Sequence, residues 1–77
     1  MDFPRITFEQ DKLGGKACVR GLRTTVASVL RMVASGMTVE EILAEHPDLE
    51  AEDIAECLRY AAYLADERVL PMRSTGS

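Results

Sequence analysis

Two helix-boundary signals stand almost side by side near the middle of the chain. Gly36 is a helix stop, because a glycine past the last helical turn adopts positive φ at no steric cost. Thr38-Val39-Glu40-Glu41 then forms a capping box, in which Thr38 caps the helix and Glu41 reaches back to the cap. One helix must therefore end and another begin within a few residues. Pro47 adds a third boundary, because it disfavours helical geometry at His46. A chain punctuated this way folds as short helices joined by tight connections.

The apolar spacing agrees. Thr24 or Thr25 is a natural N-cap, and Val26, Val29, Leu30 and Val33 follow at helical intervals, with Ser28, Arg31 and Ser35 on the outer face. Val39, Ile42 and Leu43 give the buried stripe of a second helix that runs to about His46. Asp48-Leu49-Glu50 makes the next turn. Ile54, Cys57, Leu58, Ala61 and Ala65 then repeat with helical spacing, broadened by Tyr60, Tyr63 and Leu64, in a third helix that runs to about Arg68. Asp48, Glu50, Glu52 and Asp53 crowd its start, where the helix dipole favours negative charge. This spacing predicts a solvated acidic face.

Ahead of the helices, residues 5–10 alternate polar and apolar, so Ile6 and Phe8 share one face of a short strand. Gly14-Gly15 marks a turn, and Ala17 to Arg20 supplies a second strand that ends at Gly21. The expected fold is mainly α: a three-helix, helix-turn-helix-like (homeodomain-like) bundle with a short N-terminal β-hairpin. Residues 1–23 form the hairpin and a basic loop, 24–68 the bundle and 69–77 a C-terminal tail, within one domain. At 77 residues the core is thin, so a partner or self-association is expected.

Composition excludes several enzyme classes. One His and two Cys cannot supply three or four N/S ligands to zinc. Neither a phosphate-binding glycine loop nor a nucleophile elbow is present. The reading is of a non-enzyme with no metal or cofactor. The N-terminus lacks the basic-then-apolar pattern of a secretory leader, and no apolar run is long enough to span a membrane. Cys18 and Cys57 then read as reduced, half-buried thiols, and the expected compartment is the cytoplasm.

The net charge of −4 hides an asymmetry. Residues 1–36 carry six basic side chains against three acidic ones, whereas residues 37–77 carry three against ten. An anionic partner must meet the first half. Lys16, Arg20 and Arg23 flank glycines there, and with Arg5 they are the candidate nucleic-acid contacts. The same cations can instead pair with the acidic second half. The third helix stands where a recognition helix would, but its early turns carry Glu52, Asp53 and Glu56. DNA contact would therefore fall to the basic hairpin of a dimer.

Gly14-Gly15-Lys16-Ala17-Cys18-Val19-Arg20-Gly21-Leu22-Arg23 is a distinctive run. With Arg5-Ile6-Thr7-Phe8, Gly36-Met37-Thr38-Val39-Glu40-Glu41-Ile42-Leu43, His46-Pro47-Asp48-Leu49 and Asp53-Ile54, it resembles the domain-of-unknown-function 433 family. The resemblance covers about residues 4–65. It departs from the family's usual pattern at Ala17, Leu22 and Thr24-Thr25. It implies a VapB-like antitoxin of a type II toxin–antitoxin pair, which neutralises a PIN-like ribonuclease and autoregulates its operon as a homodimer. It further implies toxin contacts through Arg68, Val69, Leu70, Met72 and Arg73, with Arg68 or Arg73 entering the toxin's acidic metal site and displacing Mg²⁺. The other readings are a DNA- or RNA-binding regulator without a toxin, and a purely structural interaction module.

Overall fold

The structure, a computed structural model, describes residues 2–8 and 16–68. Its elements run β1 (Ile6–Phe8), β2 (Ala17–Val19), α1 (Val26–Ala34), α2 (Val39–Glu45) and α3 (Ala51–Arg68). The fold is mainly α, with a short antiparallel hairpin ahead of three helices, and α2, a short connection and α3 follow in helix–turn–helix order.

The hairpin pairs Ile6 with Val19, Thr7 with Cys18 and Phe8 with Ala17. Phe3-Pro4-Arg5-Ile6 is a turn that leads into β1, closed by the Ile6 N–H on the Phe3 carbonyl at 3.0 Å. Proline at the second position presets its φ. Beyond β2 the chain reverses through Arg20 (φ 47°) and Gly21 (φ 69°), with the Leu22 N–H donating to the Val19 carbonyl at 2.7 Å. Two successive positive φ values are the signature of a type I′ turn. A bridge between Cys18 and Thr25 then lays the start of α1 beside β2.

The starts of α1 and α2 carry the caps their sequences announce. Thr25, not Thr24, caps α1, accepting from the Ser28 N–H at 3.0 Å. Thr38 accepts from the Glu41 N–H at 3.1 Å, and Glu41 accepts from the Thr38 N–H at 2.8 Å, completing the capping box. His46 closes α2 by donating its backbone N–H to Ile42. Pro47 then sits inside a turn closed by Leu49 on His46 at 2.9 Å.

The core gathers Ile6, Val19, Val26, Val29, Ile42, Leu49, Ile54 and Cys57. Phe3 packs against it and against the rings of Tyr60 and Tyr63, at 5.2 and 5.5 Å between centroids. Cys18 and Cys57 are fully buried rather than half-buried, and both are free thiols. Burial first, then the nearby Asp53 and Glu56 charges, pushes the Cys57 thiol up to about 11. Four apolar positions expected in the stripes lie at the surface: Val39, on the first turn of α2, and Leu58, Leu64 and Ala65 on α3. Phe8 is likewise exposed although Ile6, on the same face, is buried, because β1 ends there and the core lies beneath Ile6. Among the described residues, no helix is long and apolar enough to cross a membrane.

Gly36 sits at φ 96° with open space where a Cβ would stand. Gly36→Ala therefore carries backbone strain without a clash. It is expected to lower unfolding stability by about 1 kcal/mol in urea denaturation, and an unchanged midpoint would contradict this.

Candidate functional site

The charged residues before β1, after β2 and at the start of α3 converge on one carboxylate. Asp53 is fully buried. Arg20 grips it with two prongs, Nε to Oδ1 at 3.0 Å and Nη2 to Oδ2 at 2.8 Å. Arg5 adds Nη1 to Oδ1 at 2.8 Å. The Glu50 backbone N–H donates to Oδ2 at 2.8 Å. These four bonds use the four acceptor sites of an ionised carboxylate.

The local sequence explains the placement. Glu50 is the residue before α3 and a poor N-cap. Asp53, three positions on, reaches back to the Glu50 N–H and performs half of a capping box. The Pro4 turn brings Arg5 over α3, where the Arg5 N–H also donates to the nearly buried Glu56 at 2.7 Å. Glu50 accepts from Arg5 Nη1 at 2.9 Å. The Pro47 turn presents the Asp48 carbonyl to Arg20 Nη2 at 2.7 Å. Arg59 closes the outer edge, 3.6 Å from Glu52 and 3.7 Å from Glu56.

Burial works against ionisation of Asp53. Hydrogen bonds from Arg20 and Arg5, and from the Glu50 N–H, override it and hold the carboxyl at about 2, below its ordinary 3.8. Arg5 and Arg20 are raised in turn, chiefly by their hydrogen bonds to Asp53. The expected solvated acidic face is thus divided. Glu50 and Glu52 are exposed, whereas Asp53 and Glu56 point inward, because the hairpin lays cations and a backbone donor over them.

Of the candidate nucleic-acid contacts, Arg5 and Arg20 are joined in this network. Lys16 and Arg23 are exposed and make no ion pair with any described residue. Of the candidate toxin contacts, Arg68 is the last residue of α3. Val69, Leu70, Met72 and Arg73 lie outside the described residues. No group of three metal-ligating side chains gathers among the described residues.

A second feature escaped the spacing argument. A groove of about 420 Å³ runs between α1 and α3 beside β2. Ala17, Ala27, Leu30, Tyr60, Ala61 and Leu64 line it, and Lys16 is the one charged residue in its wall. Phe8 stands beside it, with its ring 6.4 Å from that of Tyr60. The available signal was the pair of small residues, Ala27 and Ala61, on the helices that face each other.

The family described as a protein of unknown function, DUF433, matches over residues 6–61. A Sinorhizobium fredii protein, the uncharacterized protein y4eO, is 43% identical over 56 residues. That match takes in 73% of this chain but 25% of the relative, so the chain spans about a quarter of the relative's length. No solved structure matches.

Asp53→Asn strips two partly covered arginines of their buried counter-charge and turns an amide nitrogen toward their donors. Asp53→Asn is expected to cost about 3–5 kcal/mol, read by urea denaturation at neutral pH. The folded Asp53 is more acidic than the unfolded one, so its contribution is fully present above pH 4 and fades as pH falls from about 4 toward 2. The variant should lack that component of the acid transition. An identical acid profile would contradict the assignment.

Arg20 combines a strained φ with the bidentate grip. Arg20→Ala loses the grip and keeps the strain, while Arg20→Gly loses the grip and relieves it. Glycine is expected to be the more stable variant by about 1 kcal/mol, both lying below the native chain. Alanine equal to or above glycine would show that the strain is not energetic.

Proposed function

The chain belongs to the DUF433 family of proteins of unknown function, and on that premise we propose that it is the antitoxin of a type II toxin–antitoxin pair, binding and neutralising a PIN-like ribonuclease. The observation that carries the reading is the form of α3. It is the longest helix, and its later turns leave Ala62, Leu64, Ala65 and Asp66 exposed. The sequence then continues from Arg68 as Val69-Leu70-Pro71-Met72-Arg73, an apolar run between two arginines.

In this reading Val69, Leu70 and Met72 lie on an apolar strip of the toxin. The guanidinium of Arg68 or Arg73 meets the carboxylates that hold its catalytic Mg²⁺. A planar guanidinium fork matches a carboxylate in two bonds, so it satisfies those acids and displaces the ion. Neutralisation is occlusion, and this chain supplies no chemical step. Operon autoregulation by a dimer would draw on Lys16 and Arg23. Those two exposed cations also favour the second reading, a DNA- or RNA-binding regulator without a toxin.

The test is co-expression with the neighbouring reading frame, followed by pull-down and a growth assay. A stable complex that relieves toxicity is expected, and Arg68→Ala with Arg73→Ala should abolish the relief. Failure to bind or to rescue overturns the antitoxin reading and leaves the regulator, checked by salt-dependent binding to DNA and RNA.

A further inference from the structure

We propose that the groove between α1 and α3 is the seat of a second copy of this chain, with Phe8 of each copy entering the groove of the other. This rests on the dimer invoked for operon autoregulation and names its interface, while its test does not depend on whether a toxin is bound.

The first argument is shape. Phe8 is 61% exposed, the most exposed of the large apolar side chains described. It projects beside an apolar groove of about 420 Å³. A knob and a hole on one face are the condition for a closed two-fold interface, where each patch meets its own copy. The groove is shallow enough for close approach because Ala17, Ala27 and Ala61 form much of its wall. Tyr60 is already in edge contact with Phe8 and bridges knob and hole.

The second argument is charge. Two chains of net charge −4 repel one another, so a contact that keeps the acidic side chains of the two copies apart is favoured. The exposed acids Glu40, Glu41 and Glu45 lie on α2, Asp48, Glu50 and Glu52 lie around the start of α3, Asp66 lies on its later turns, and Asp2 precedes the hairpin. None of them lines the groove, whose single charged wall residue is the cation Lys16. The groove face therefore admits a second copy without juxtaposing like acidic charge. A standard interface covers about 800 Å² on each partner, roughly a sixth of the 5082 Å² this chain exposes.

Phe8 and Ala27 are both exposed, so each can be changed without opening the core. The full chain is examined by light scattering and sedimentation up to about 100 μM, where a micromolar association is saturated. A dimer is expected. Phe8→Asp and Ala27→Glu should each weaken it by roughly tenfold or more, since either places an unpaired charge in an apolar contact. Glu45→Gln, on α2, should leave it unchanged. A mixed sample of labelled and unlabelled chains supplies a readout that needs no variant: intermolecular nuclear Overhauser contacts between the Phe8 ring and the Ala27 and Ala61 methyls. A monomer at every concentration overturns the proposal, as does a dimer indifferent to both variants and without those contacts. A monomer whose Ala27→Glu form loses a partner encoded beside it would assign the groove to that partner instead.

Discussion

One buried carboxylate, that of Asp53, ties both ends of the hairpin to the start of α3. Arg5 comes from the turn before β1, Arg20 from the turn after β2, and the Glu50 N–H from the connection before α3. Burying such a charge is costly unless every acceptor site is filled. Here each oxygen receives two donors, so the hairpin must sit where both guanidinium groups arrive together. The network acts on geometry more than on gross stability. A two-stranded hairpin is marginal in water, and docking against helices gives it a defined place. The backbone at Arg20 accepts a positive φ, which costs about 1–2 kcal/mol, and the resulting turn aims its side chain at Asp53.

The network also decides which charges remain for partners. The sequence separates a basic first half from an acidic second half, and the fold neutralises part of that asymmetry internally. Arg5 and Arg20 meet Asp53, while Lys16 and Arg23 stay exposed. Most of the surviving exposed acidic side chains collect on α2 and the start of α3. The α1–α3 groove is nearly free of charge. The molecule thus offers two surfaces of different character, one acidic and one apolar, and a partner's chemistry selects between them.

Much of the fold was legible in the residues. Gly36, the capping box at Thr38 and Glu41, and Pro47 are local signals whose physics needs no distant partner, and the helices begin and end where these predict. Long-range facts were less legible. Acid at the start of α3 suits the helix dipole whether it is solvated or buried, so the dipole argument cannot single out Asp53. What buries it lies 33 and 48 positions away, in Arg20 and Arg5. The mismatch that pointed to it was Glu50, a weak cap with an acid three residues on. Similarly, alternation placed Ile6 and Phe8 on one face but not the edge of the core between them. The C-terminal segment that the proposed toxin contact needs lies outside the described residues, and its role rests on sequence order and family resemblance.

The central claim is that Asp53 makes hairpin and helices a single cooperative unit. Native-state amide hydrogen exchange tests it most directly, because it reads opening free energies residue by residue. The Arg20 N–H is bonded to the Arg5 carbonyl, and the Ile42 N–H lies in α2. In the native chain both should exchange through the same global opening, with equal free energies and equal dependence on denaturant. A hairpin amide that exchanges far more readily than the helix amides would mean that the hairpin opens by itself, and that Asp53 does not hold the domain together.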